Sequence, residues 1–119
     1  MNKMKIRIAA ILGFAGVAAG AFGAHALKNY LTPEMIEIYK TGVLYHLVHS
    51  CVLLFLALND KYNFRISFTL ILLGIIFFSF SLYLYSVFAI LLFAMITPVG
   101  GLLLLAGWLF IFIEAGKQK

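Results

Sequence analysis

Acidic residues are nearly missing from this chain: four Asp and Glu stand against nine Lys and Arg in 119 residues, a formal net charge of +5. Charge of either sign is scarce at 11%, while 65% of the residues are hydrophobic. Soluble domains run near roughly 25% and 45–50%. A water-soluble fold of this length has too much surface to hide so many apolar side chains, which makes the class integral membrane, with one domain over residues 1–119. The single cysteine, Cys51, excludes an intramolecular disulfide and any multi-cysteine metal site. The basic residues sit at the termini and in short connections, with no basic stripe or aromatic-basic motif, so nucleic acid is excluded as a partner and the lipid bilayer takes its place. No nucleophile–base pair, intramembrane carboxylate pair or phosphate loop is visible, and the chain reads as a non-enzyme with no resident metal or cofactor.

What is present is a succession of four apolar runs, roughly 6–26, 42–58, 64–85 and 97–113. The predicted fold is all-α, a four-transmembrane-helix bundle. The opening segment has the basic start, apolar core and A-x-A-like end of a signal peptide. Its apolar run of about twenty residues nevertheless suits a bilayer core, and an uncleaved first span is expected. The only two prolines both follow threonine, in Thr32-Pro33 and Thr97-Pro98. Each pair offers a hydroxyl N-cap followed by proline at the first helical position. The first predicts one long helix over 33–58, its N-terminal turns extending beyond the membrane. The second predicts a start for the fourth span, unless 89–96 prolongs that span across a kink.

Lys3, Lys5, Arg7, Lys61, Arg65, Lys117 and Lys119 fall on one side of this topology, Lys28 and Lys40 on the other. The positive-inside bias then predicts a multi-pass membrane protein with both termini in the cytoplasm.

Small residues mark the expected seams. Gly13, Gly16, Gly20 and Gly23 share one face of the first span, where close backbone approach replaces the hydrophobic drive that lipid removes. Their partner is left open between another span and a second copy of the chain or another membrane protein. In the third span Ser67, Gly74 and Ser81 recur every seven residues, with Ser79 and Tyr83 on nearly the opposite face. Ser79 is expected to bond the carbonyl one turn back, whereas Ser81 is open to an inter-helix bond. Gly100, Gly101 and Gly107 serve the fourth span.

The second span places Met35, Tyr39, Gly42, His46, His49, Ser50, Leu53 and Ala57 in one stripe of about 100°. Leu44, Val48, Cys51, Phe55 and Leu58 lie opposite. An ionisable residue inside a membrane normally faces the bundle interior, so the histidines are expected to look inward. Three roles compete for them. They could fasten helices by bonds to carbonyls, Ser81 or tyrosines. They could handle protons or a solute. Joined by His25 and Glu34, they could hold a metal, for which His-x-x-His alone is a weak signal. His25 points away from the glycine face unless the helix breaks after Gly23. The candidate polar cluster is therefore His25, His46, His49, Tyr45 and Ser81.

The segments GAFGAHALK, TGVLYHLVHS, FSFSLYLYS and ITPVGGLLLLAGWL resemble, in order and spacing over almost the whole chain, the YgdD-like family of small bacterial inner-membrane proteins, a domain of unknown function. The resemblance implies a four-span helical membrane protein with no established activity. It matches His25 and His49, places glutamine where this chain has His46, and puts glycine where this chain has Phe80. Glutamine ligates metals poorly, so a shared site that uses both His46 and His49 as ligands is disfavoured. The expected function is a binding or assembly role. The alternative is a small oligomeric transporter or channel for protons, metal ions or small solutes.

Overall fold

A computed structural model describes residues 2–117; Lys119, counted above among the charges of one side, lies outside the described residues. Four helices account for nearly everything: α1 (Lys3–Leu27), α2 (Pro33–Leu58), α3 (Arg65–Phe88) and α4 (Leu91–Lys117). Each has 24 to 27 residues and is apolar enough to cross a bilayer. At about 1.5 Å per residue they outreach a hydrocarbon core of about 30 Å.

Local chemistry sets most of the boundaries. Asn2 Oδ1 accepts from Lys5 N at 3.2 Å and opens α1. Thr32 Oγ1 accepts from Met35 N at 3.2 Å, with Pro33 in the first turn, and opens α2 at the residue its sequence predicts. Phe64 precedes α3 and has no capping side chain of its own; Glu114, from the far end of α4, supplies the cap instead. Ala89 adopts a left-handed conformation (φ 55°) that ends α3, and α4 begins two residues later. The second threonine–proline pair therefore does not start a helix. Pro98 lies inside α4, and Thr97 Oγ1 turns back to the Phe93 carbonyl at 3.2 Å. The pair copies Thr32-Pro33 without acting as a cap, and the alternative holds instead, the span being prolonged upstream to Leu91. The apolar residues before the pair hold a helix without any cap, and a missing backbone donor is tolerated where neighbouring helices compensate.

The helices stand in a row. α1 packs along α2, α2 along α3 and α3 along α4, while α1 and α4 share no face among the described residues. The molecule measures 53 × 25 × 17 Å, thin across the row. Both α1 and α3 contain one π turn, Ala19–Gly23 and Ile76–Phe80, and both turns lie against α2. An apolar core of Leu12, Leu53, Leu56, Phe68, Ile71, Ile75 and Leu104 fills the half of the bundle nearer the chain ends.

The glycines show how closely the row is packed. A Cβ at Gly16 would sit 2.7 Å from Leu47, one at Gly20 3.0 Å from Val43, and one at Gly23 would overlap the Tyr39 hydroxyl. This part of the α1 stripe is thus occupied by α2 of the same chain. Gly13 is different: nothing lies within 4 Å of its Cβ direction, because a shallow groove lined by Phe14, Leu47 and Cys51 opens there. Gly74 backs on to Leu104 and Gly107 on to Ile71, and Gly100 meets the Phe77–Phe78 backbone directly. Gly101 has only the Phe78 ring nearby, at 3.8 Å.

Candidate functional site

The inward stripe of α2 meets different neighbours at each turn. Tyr39, Gly42, His46, His49, Ser50, Leu53 and Ala57 are all buried, whereas Leu44, Val48, Cys51, Phe55 and Leu58 are exposed. Near the π turn of α1, Tyr39 donates its hydroxyl to the Ala19 carbonyl at 2.6 Å. Its ring lies 5.1 Å from that of Tyr83. The Tyr83 hydroxyl in turn bonds His46 Nδ1 at 2.8 Å, which ties α2 to α3. His46 is only 1% exposed, with Phe80 packed edge-on against it at 5.4 Å. Phe80, where the resemblance puts glycine, thus packs on both His46 and Tyr83. His46 Nε2 faces α1 near the Leu12 carbonyl, outside hydrogen-bond geometry, and has no partner among the described residues.

His49 points elsewhere, towards α4. Its Nδ1 lies 2.8 Å from the Tyr45 carbonyl, and Trp108 Nε1 donates to its Nε2 at 3.0 Å. An indole nitrogen only donates, so Nε2 is the acceptor and the proton resides on Nδ1, where the carbonyl receives it. The ring is held as one neutral tautomer with both nitrogens engaged. It offers no lone pair to a metal unless Trp108 lets go.

Beside this bond a cavity of about 600 Å³ opens laterally between α2 and α4. Its walls include Tyr45, His49, Phe78, Gly101, Leu104 and Trp108. The Tyr45 ring is nearly parallel to His49, with 15° between the planes, and lies 4.7 Å from Phe78. Trp108, 48% exposed, stands at the groove with its indole N–H turned to His49. Gly101 lines the groove as well, and a Cβ there would meet only the Phe78 ring at ordinary contact distance.

The five residues of the sequence-predicted cluster are thus divided. Tyr45 and His49 line the groove together. His46 sits in the interior on the α3 side. Ser81 does not reach the histidines: its hydroxyl lies 2.6 Å from that of Thr97 and donates to the Phe78 carbonyl at 2.8 Å, so it joins α3 to α4. His25 is exposed in the last turn of α1, because the π turn widens the helix without breaking it. Glu34 is exposed in the first turn of α2, and no group of three metal-ligating side chains forms among the described residues. Ser79 also departs from expectation. Its buried hydroxyl has no partner among the described residues, since it lies in the π turn, where the carbonyl one α-turn back is displaced.

Sequence reasoning missed two contributors. Trp108 is one, since nothing in its local sequence pairs it with His49. Glu114 is buried and accepts from Ile66 N at 3.1 Å, Ser67 N at 2.9 Å and the Ser67 hydroxyl. A lone acid directly after the last apolar run was the available signal, for an acid at a membrane helix usually carries a specific partner.

Comparison with known proteins points one way. The model described as "Protein of unknown function (DUF423)" matches residues 19–101. UPF0382 membrane protein YwdK of Bacillus subtilis (strain 168) is 38% identical over 97% of this chain and 98% of its own length. A UPF0382 membrane protein of Haemophilus influenzae is 35% identical over 100% of this chain and 98% of its own length. UPF0382 inner membrane protein YgdD of Escherichia coli (strain K12) is 35% identical over 99% of this chain and 93% of its own length. No solved structure matches.

Proposed function

The chain belongs to the DUF423/UPF0382 family of membrane proteins of unknown function, and from that premise we propose that it is a non-enzymatic binding protein of the bacterial inner membrane. Its ligand is a membrane-soluble molecule, apolar along its length, received in the lateral groove between α2 and α4. The observation that carries this reading is the groove itself. A cleft of about 600 Å³ walled by Tyr45, His49, Phe78 and Trp108 faces a medium without water, and a molecule from that medium fills it. The His49–Trp108 bond braces the two walls that no backbone contact joins. The relatives' names carry no enzymatic term, which supports the non-catalytic reading.

The assembly role draws less support than the sequence suggested, because three of the four α1 glycines are occupied by α2. The termini are proposed to face the cytoplasm on the strength of the basic residues gathered at one end of the row. Protease protection of tags at both termini in intact cells is the expected result, and cleavage there reverses the orientation.

Trp108 is the only tryptophan, so it reports on the groove without labelling. Dibromostearic acid, added to the purified chain in detergent, is expected to quench it in a saturable manner. Gly101→Leu places a side chain in the groove without backbone collision and is expected to remove the saturable component. Quenching that rises linearly and equally in both proteins refutes the site.

A further inference from the structure

A second recess, independent of the groove, lies at the end of the bundle where α1 begins and α2 turns into α3. We propose that it binds the phosphate of an anionic phospholipid in the leaflet at that end. The recess has a volume of about 250 Å³, and its polar walls are Asn2, Lys5, Asn59, Asp60, Tyr62 and Asn63. The hydrogen bonding of the three asparagines decides its chemistry. Asn2 Oδ1 accepts from Lys5 N at 3.2 Å, and Asn63 Oδ1 accepts from Arg65 N at 3.2 Å. Asn59 Oδ1 accepts from both Lys61 N at 3.1 Å and Tyr62 N at 3.0 Å. Each amide oxygen is turned to a backbone N–H, that of Asn59 to two of them, and this orientation leaves each NH₂ group as a pair of uncommitted donors.

A cation joins these donors. The Lys5 stem crosses to α3 and puts its ammonium 5.0 Å from the centre of the Phe68 ring, while the Lys61 ammonium lies 5.4 Å from that of Tyr62. Lys3, Arg7 and Arg65, all exposed, belong to the same end of the bundle. Asp60 is the single acid in the wall and is itself engaged. Buried Leu56, Ala57 and Phe64 complete the lining on the bundle side. A cup of donors and positive charge fits an acceptor-only anion such as a phosphodiester. Its position where four helices leave the hydrocarbon puts it at headgroup depth, and basic pockets between membrane helices take such headgroups.

The test is native mass spectrometry of the full-length chain in neutral detergent, offered equal phosphatidylglycerol and phosphatidylcholine. The wild-type chain is expected to retain phosphatidylglycerol about tenfold better, because both lipids offer the phosphodiester but only phosphatidylcholine brings a cation against Lys5. Asn63→Asp keeps the oxygen that accepts from Arg65 and replaces the donor by a charge, and it is expected to abolish the preference. Lys5→Met retains the stem over Phe68 and serves the same purpose if Asn63→Asp does not fold. Lys117→Gln, which removes a cation from the same end of the bundle but outside the recess, is expected to leave the preference intact. Three results overturn the proposal: no preference in the wild type, a preference that survives both recess variants, or an equal loss in Lys117→Gln. Displacement of the lipid by inorganic phosphate alone also overturns it, by assigning the recess to a free anion.

Discussion

The seam between α1 and α2 and the seam between α3 and α4 are both built on glycine, yet they work differently. In the first, every glycine is on α1 and every knob comes from α2: Leu47 over Gly16, Val43 over Gly20, Tyr39 over Gly23. In the second the roles alternate, Leu104 of α4 entering at Gly74 and Ile71 of α3 entering at Gly107, while Gly100 lies directly on the Phe77–Phe78 backbone. A one-sided seam can yield by moving side-chain tips. A reciprocal seam that includes a backbone-to-backbone contact cannot, because peptide groups have nowhere to go. The pattern teaches that glycine count alone does not rank a membrane interface; what each glycine faces does.

Four substitutions sharpen or break that contrast. Gly100→Ala has the largest expected effect, a loss of about 3 kcal/mol, because its methyl meets only backbone. Denaturation in detergent micelles measures it, and a neutral result would erase the distinction between the seams. Glu114→Ala follows, at about 2 kcal/mol, since it leaves the first N–H groups of α3 without their acceptor. Hydrogen exchange at Ile66 and Ser67 should rise with it.

Gly23→Ala is expected to cost about 1 kcal/mol, with most of that recovered in combination with Tyr39→Phe, which removes the colliding hydroxyl. Strict additivity of the two changes contradicts a seam that adapts through side chains. Gly13→Ala should be neutral or slightly stabilising, within about 0.5 kcal/mol, for there is only open space beside it. A large loss there would mean that something outside this chain packs against the groove.

How far the fold could be read in advance depended on whether polarity marked the boundary. α2 was legible from end to end: a hydroxyl cap opens it, and its small and polar residues share one face, so both its limits and its inward stripe follow from local rules. α4 was not. Residues 91–96 are uniformly apolar, Thr97-Pro98 imitates a start, and only the tertiary setting reveals the Thr97 hydroxyl between the Phe93 carbonyl and Ser81. The site was legible in part for the same reason. The period of α2 turns His46 and His49 inward, but it cannot say that Tyr83 receives one and Trp108 the other. Trp108 is 59 residues from His49 and meets it only because α2 and α4 flank α3.

The corner at Ala89 bears on how the protein is made. Only Ala89 and Ile90 separate α3 from α4, a reach of about 10 Å from Phe88 to Leu91 even when fully stretched. The emerging chain therefore cannot leave α3 parked in the bilayer while α4 is delivered at a distance. The two stay a joined hairpin wherever the chain settles, with Thr97 beside Ser81.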